Sequence, residues 1–314
     1  MRSEKQEGMD LETLEVRQRP RSSSSWWRVL LTAFLFYVVG VVTLGVTGNP
    51  NLFPTVVILG SFMVPVTYVA FFYERRHLSQ LTMPTLTMAF VYGGVLGVFA
   101  ASWLEPLFLS TFGFLISLQI GLIEEFVKIL GVLVVARHRR HDSELDGLIL
   151  GAAAGMGFAA LESTGYAFTA FLSSQGNLSD TVVVTLLRGL LSPLGHGTWT
   201  AILAAVMFRE SRAGHYRINL KVLGAYLTVA ILHGLWDGLP NFLAGMVVPS
   251  LAIFAGQIVV GALGLAILWR RWHEAVRLQA AAAAVTVAVA ASEPGAGGEP
   301  SAASEPEAGG AEDL

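Results

Sequence analysis

The sequence predicts an all-α polytopic membrane protein with about eight transmembrane helices. Of its 314 residues, 54% are hydrophobic and only 14% are charged, whereas about a quarter of an ordinary soluble domain is charged. Eight apolar segments each reach the roughly 20 residues that a helix needs to cross a hydrocarbon core. Only helices satisfy their own backbone hydrogen bonds at that depth in segments of this kind. The segments lie at residues 26–47, 52–73, 85–104, 115–136, 147–172, 181–208, 219–239 and 247–269.

The apolar segments lie between two polar tails. Residues 1–25 end in a serine run and predict a disordered cytoplasmic tail. Residues 26–272 form the transmembrane domain, whose first segment is too long for a cleaved signal peptide and predicts a retained signal anchor. Residues 273–314 are rich in Ala, Gly, Pro and Glu and predict a second disordered cytoplasmic tail.

Three local features modify the regular spans. Residues 106–118, between the third and fourth spans, predict an interfacial or re-entrant piece. Gly and Ala dominate residues 151–157 of the fifth span, which permits a neighbouring helix to approach closely. The sixth span contains Ser-Pro-Leu-Gly at 192–195, where the proline predicts a kink or a break.

The basic residues orient the chain in the membrane. The sequence contains 20 Lys and Arg, and all of them except Lys128 and Arg188 lie on alternate loops or tails or within the first three residues of a span beside them. Loops rich in Lys and Arg face the cytoplasm. We therefore expect a multi-pass protein of the cell membrane with both termini in the cytoplasm.

Composition also excludes several kinds of function. The chain has no cysteine, which excludes disulfides, thiolate catalysis and cysteine-ligated zinc. Its net charge of −3 comes largely from the acidic C-terminal tail, and nothing in it indicates a nucleic-acid partner. The lipid bilayer is the expected surrounding.

Ionisable residues inside the fourth to seventh spans predict the functional site. A charged group in hydrocarbon is costly, so its presence there indicates a function by default. With a rise of 1.5 Å per residue, the acidic and histidine residues lie about 18–24 Å from the cytoplasmic boundary, and we expect them to converge around one cavity. The residues of these four spans that concern the site are Glu124, Glu125, Lys128, Phe158, Glu162, Arg188, His196, His233 and Asp237.

The fourth and fifth spans supply the glutamates. Glu124 and Glu125 point about 100° apart on a helix, and Lys128 is within pairing reach of either. One glutamate would pair with Lys128 and support the fold, while the other would face the cavity as general base; the spacing leaves open which is which. Glu162 could be a metal ligand, a partner of a ligand, or the counter-ion of Arg188.

The sixth and seventh spans supply the histidines. His233 and Asp237 share one helix face, which suits two ligands of one metal or a histidine oriented by a carboxylate; alternatively, Asp237 lies at the outer membrane interface. His196 follows the predicted break, where irregular backbone lines a cavity, or else it bonds across helices. His196, His233 and Glu162 could together hold Zn²⁺. A glutamate could equally activate water without a metal.

At these residues the chain resembles the PrsW family of intramembrane proteases, part of a wider group that includes the CAAX prenyl-protein endopeptidases. The family pattern is Glu-Glu-x-x-Lys, Phe-x-x-x-Glu, a single His and His-x-x-x-Asp, and it occurs here in that order, with the resemblance covering residues 26–270. The resemblance implies that residues 26–272 form a protease domain, often described as a metalloprotease. It also implies membrane-associated or membrane-anchored protein substrates, such as the anti-sigma factor cleaved by PrsW proteins.

Two other function classes fit part of the pattern. A proton- or cation-coupled transporter also places carboxylates near the bilayer midplane, although such carriers usually show matching halves, and here the polar positions crowd into spans four to seven. A membrane scaffold or lipid-binding protein has no need for two histidines and four carboxylates at one depth. Assays of peptide cleavage and of ion transport in proteoliposomes separate the first alternative from a protease.

Overall fold

The computed structural model describes residues 25–76, 78–109, 113–137, 143–211, 215–244 and 249–292. Within these ranges the protein consists of eight helices and contains no β-sheet, which confirms the all-α prediction. The predicted tails at 1–24 and 293–314 lie outside the described residues.

Each predicted apolar segment corresponds to one helix. Helices α3 and α6 are interrupted and have a first and a second segment, α3a with α3b and α6a with α6b. The bounds are α1 Trp26–Thr47, α2 Phe53–Glu74, α3a Met83–Val91, α3b Gly97–Phe108, α4 Gly113–Ala136, α5 Glu144–Ser173, α6a Leu178–Leu191, α6b His196–Arg209, α7 Leu220–Ala244 and α8 Pro249–Ser292.

Six of the eight helices in the described part of the chain are long and apolar enough to cross a membrane, judged by length and composition: α1, α2, α3, α5, α6 and α7. Helix α4 has 24 residues, a sufficient length, but carries Glu124, Glu125 and Lys128 at its centre. The predicted extra piece at 106–118 is taken up by the end of α3b and the start of α4, apart from 110–112, which lie outside the described residues.

The two interruptions have different causes. In α6 a 3₁₀ turn spans Ser192–Leu194, and Gly195 leaves the helical conformation with φ −110° and ψ −114°, so the break predicted from Pro193 is present. In α3 a π-helical turn spans Tyr92–Leu96. The sequence analysis did not predict this second interruption, whose glycines lie against α5.

Helix α5 is the centre of the bundle because its small residues admit its neighbours. A Cβ atom at Gly155 would overlap the carbonyl oxygen of His196, and one at Gly157 would overlap that of Phe90. Both α6b and α3a therefore approach the α5 backbone directly, as small residues allow in membrane helices. The packing of α5 against α6b fixes His196 at the middle of the bundle.

Helix α8 continues well past the membrane segment predicted for it. Residues 273–292 are helical, which differs from the disordered tail that the sequence predicts from 273 onward. Alanine is the best helix former, and the first proline of the tail comes only after Ser292. The extension is also attached to the bundle, since the Ser143 hydroxyl donates to Gln279 Oε1 over 2.9 Å.

Candidate active site

The first part of the site is a buried ion cluster on α4. The Lys128 ammonium lies 3.0 Å from Glu124 Oε2 and 2.9 Å from Glu125 Oε1. All three side chains are buried, and those of Lys128 and Glu125 are 0% exposed. Lys128 thus pairs with both glutamates, where the sequence analysis expected it to pair with one.

The break in α6 delivers His196 to this cluster. His196 is the first residue of α6b, and its Nδ1 lies 2.7 Å from Lys128 Nζ. An ammonium has three N–H donors and no acceptor, and Lys128 directs them to Glu124, Glu125 and His196. Since Nδ1 accepts from the lysine, Nε2 carries the proton of the neutral ring and donates to Glu162 Oε2 over 3.1 Å.

His233 on α7 also contacts the glutamate pair, and its ring centroid lies 5.0 Å from that of His196. Its Nδ1 is 3.2 Å from Glu125 Oε1, and its Nε2 is 3.5 Å from Glu124 Oε2 and 3.3 Å from Asp237 Oδ2. The ring is therefore surrounded by three carboxylates. Asp237, whose side chain is 36% exposed, orients this histidine from the cleft side in addition to lying near the end of its helix.

Helix α5 contributes an aromatic ring and a third glutamate. The Phe158 ring lies under the Lys128 ammonium, with Nζ 4.1 Å from the ring centroid. Glu162 Oε2 accepts from Arg188 Nη2 over 2.6 Å as well as from His196. Of the roles left open for Glu162, the geometry gives it two at once: it is the counter-ion of Arg188 and the partner of a histidine.

A cleft of about 560 Å³ opens beside the cluster. Glu124 lines it, but Glu125 and Lys128 do not. The two adjacent glutamates are therefore inequivalent. Glu124 faces the cleft, whereas Glu125 is fully buried and contacts Lys128. The remaining predicted site residues that line the cleft are Phe158, Glu162, Arg188 and Asp237.

Several contributors to the site were not singled out from the sequence. Glu105 on α3b and Gln257 on α8 also line the cleft, so helices outside spans four to seven take part. On α6b, the Trp199 ring contacts the His196 ring, and the Thr200 hydroxyl donates to Glu125. Glu105 lies close to the end of a span, and the other three are common residue types in membrane helices, so no sequence pattern indicated them.

Three of the buried residues could hold a metal ion. One ligand atom each from Glu124, His196 and His233 lies within 4.8 Å of the others. A carboxylate with two imidazoles is a donor set that catalytic zinc uses, so the residues fit a divalent ion. This set contains Glu124 where the sequence analysis placed Glu162. Glu162 instead accepts from the Nε2–H of His196, the arrangement in which a carboxylate orients a histidine ligand.

A comparison with protein families agrees with this chemistry. The family described as PrsW family intramembrane metalloprotease matches residues 82–263, which is more than half of the chain and includes every site residue described above. No curated protein and no solved structure matches the chain.

Proposed function

The chain belongs to the PrsW family of intramembrane metalloproteases and is a peptidase, and we propose that it hydrolyses membrane-anchored proteins in the cleft beside Glu124. The observation that carries the proposal is the position of Glu124, which faces the cleft next to both histidines. It also lies near the middle of α4, about 17 Å along the helix from either end. A substrate peptide bond must therefore enter the helix bundle to be cut.

The two glutamates have separate roles in this proposal. Glu124 lines the cleft, so a water molecule there can reach its carboxylate, and Glu124 accepts the proton as that water attacks the peptide carbonyl. Glu125 has no access to the cleft and acts as a fixed negative charge that holds Lys128 and His233. Lys128 donates to both carboxylates, which lowers the cost of burying them side by side.

The histidines lie where charge develops during hydrolysis. His233 is held by Glu125 at Nδ1, and its Nε2 is directed toward Glu124 and Asp237. An imidazole that can donate a proton in this position stabilises the developing oxyanion and can return a proton to the leaving amine. His196, fixed by Lys128 and Glu162, lies beside Glu124 as well, with its Nδ1 3.9 Å from Glu124 Oε2.

In the metal-bound form, we propose that Glu124, His196 and His233 would hold the ion that the family description implies, with Zn²⁺ as the expected ion; these ligand roles would then replace the proton transfers described above. When bound, such an ion supplies a Lewis acid that activates water and polarises a carbonyl. The ligand atoms lie beside the Lys128 ammonium, whose positive charge opposes a second cation. Metal content is therefore a quantity that any test of the site must measure.

The substrate class and the orientation follow from the membrane setting. The alternation of basic loops supports a topology with both termini cytoplasmic. Because the cleft lies beside the middle of α4, inside the helix bundle, we expect substrates with a transmembrane anchor. The resemblance to PrsW proteins suggests regulators of the anti-sigma-factor kind. The transporter alternative is not supported by the family match, which identifies a peptidase.

A cleavage assay in proteoliposomes tests the proposal. Purified protein is mixed with a membrane-anchored peptide, and cleavage and metal content are measured for the wild type and His233→Ala. His273→Ala is the control, because His273 is an exposed residue of α8 away from the cleft. We expect His233→Ala to lose cleavage and His273→Ala to retain it. Equal cleavage by both variants, or an intact peptide accompanied by ion flux, would contradict the proposal.

A further inference from the structure

The side chains that hold His233 extend beyond the motifs to two neighbours of His196. Thr200 is fully buried, and its hydroxyl donates to Glu125 Oε2 over 3.0 Å. Trp199, also fully buried, stacks on the His233 ring with centroids 4.6 Å apart and planes inclined by 30°. We infer that both are positioning residues for the peptidase reaction, an inference that rests on the proposed function. Thr200 acts through Glu125, whereas Trp199 touches the imidazole directly.

Glu125 is the link between Thr200 and His233. Its Oε1 accepts from Lys128 and faces His233 Nδ1, while its Oε2 accepts from Thr200. The Thr200 bond thus fixes the rotation of the carboxylate. Without the hydroxyl, Oε2 is left buried and unsatisfied, which favours any rotation that finds it another donor. A rotated carboxylate no longer aligns Nδ1–H, and Nε2 loses its direction toward Glu124 and Asp237.

Trp199 restrains both imidazoles at once. It stacks on His233 and meets His196 edge-on, with centroids 5.4 Å apart and planes at 74°. Its own Nε1 is buried without a hydrogen-bond partner among the described residues. The indole N–H therefore donates to none of these residues, although leaving a buried donor unpaired is unfavourable. Trp199 therefore contributes to the site through the contacts of its aromatic ring with the two imidazoles.

The helical spacing explains how one short segment serves both roles. Thr200 follows His196 by four residues and shares its face of α6b, which lies against α4 and α5. Trp199 follows His196 by three residues and lies on the adjacent strip of the same helix, facing α7. The break before α6b therefore positions His196 together with Trp199 and Thr200, the two side chains that hold His233.

The role of the Thr200 hydroxyl is tested by kinetics in proteoliposomes. Thr200→Val removes the hydroxyl and nearly keeps the shape, so we expect kcat to fall about 10–100-fold with KM close to the wild-type value. Thr200→Ser keeps the hydroxyl and should stay within about 3-fold of the wild type. The matched control is Thr185→Val, since Thr185 is buried on α6a and its hydroxyl donates to the Thr181 carbonyl over 2.6 Å. A kcat for Thr200→Val equal to that of Thr185→Val, or to that of Thr200→Ser, would overturn the inference.

The route through Glu125 is tested by a double-variant cycle. If Thr200 acts only on that carboxylate, Thr200→Val combined with Glu125→Leu, which removes both oxygens, should be no slower than Glu125→Leu alone, within about 2-fold. A multiplicative loss would overturn the route. Glu124→Gln, measured beside them, reports on the proposed function separately. If Glu124→Gln cleaves like the wild type, the mechanism fails whatever Thr200 does, whereas an inactive Glu124→Gln leaves the Thr200 variants as a test of positioning alone.

The role of Trp199 is tested by a pair of substitutions. Trp199→Phe keeps an aromatic face against His233, and Trp199→Leu does not. We expect the phenylalanine variant to retain at least about 10-fold more kcat than the leucine variant, with both unfolding at similar temperatures. Equal kcat values for the two would show that the space is merely filled and would overturn the assignment of Trp199.

Discussion

Replacing Lys128 by methionine tests the charge balance on which the site depends. The Lys128 ammonium is fully buried and donates to Glu124, Glu125 and His196 over 3.0, 2.9 and 2.7 Å. Methionine has a similar length and flexibility but no charge. In the variant two carboxylates remain buried beside each other without the cation that stabilises both.

The size of the effect follows from these contacts. Removing one partner of a buried ion pair costs about 3–5 kcal/mol, because a buried charge is left uncompensated. Lys128 serves two carboxylates and also lies over the Phe158 ring, a contact that adds about 0.5–2 kcal/mol. We therefore expect Lys128→Met to lower the free energy of unfolding by about 5 kcal/mol.

The assay is equilibrium unfolding of the purified protein in lipid–detergent micelles. The control is Lys221→Met, because Lys221 pairs with Glu210 over 2.9 Å while its own side chain is 71% exposed. Solvent screens that pair, so its loss should change little. Neutralising the stranded charges with Glu124→Gln and Glu125→Gln should restore part of the stability of Lys128→Met. If Lys128→Met unfolded with the same free energy as Lys221→Met, the argument for a buried ion cluster would be refuted.

Other expected outcomes concern packing, the arginine and the metal. Gly157→Ala should destabilise by about 1–3 kcal/mol, because its Cβ would overlap the Phe90 carbonyl, whereas Gly165→Ala meets nothing within 4 Å and should be tolerated; equal unfolding free energies would contradict this. Arg188→Gln should slow cleavage, because Glu162 loses a 2.6 Å ion pair, and an unchanged rate would count against that role. Metal analysis of the wild type should find about one ion per chain, and a metal-free, fully active protein would exclude the proposed ion.

Much of the fold could be predicted because the bilayer imposes it. The helices of the described residues follow the apolar segments closely, since their lengths and composition are set by the hydrocarbon core. The break at Pro193 was also predictable, because proline cannot continue a helix. The π-helical turn at Tyr92–Leu96 was not, because it depends on how α3 meets the α5 backbone at Gly157. The helical extension to Ser292 was missed because its alanine-rich residues were grouped with the Gly-, Pro- and Glu-rich residues that follow them, although alanine favours a helix.

The site could be predicted as a set of residues but not as a geometry. Ionisable side chains in apolar spans stand out in a sequence, and the structure brings the predicted ones together. Spacing alone could not show that Lys128 contacts both glutamates, or that Glu124 rather than Glu125 faces the cleft. Those facts depend on helix rotation and tilt. Thr200 was missed because a single hydroxyl in a helix has no distinguishing pattern.

The central claim is that the two adjacent glutamates are inequivalent, with Glu124 acting on water and Glu125 holding the site. Cleavage of a membrane-anchored peptide by purified Glu124→Gln and Glu125→Gln tests it most directly, with Glu274→Gln as a control at a partly exposed glutamate that does not line the cleft. We expect Glu124→Gln to fold but to lose at least about 10³-fold in kcat. We expect a smaller loss, about 10–100-fold, for Glu125→Gln and wild-type activity for Glu274→Gln. Near-normal cleavage by Glu124→Gln, or a larger loss in Glu125→Gln, would contradict the account.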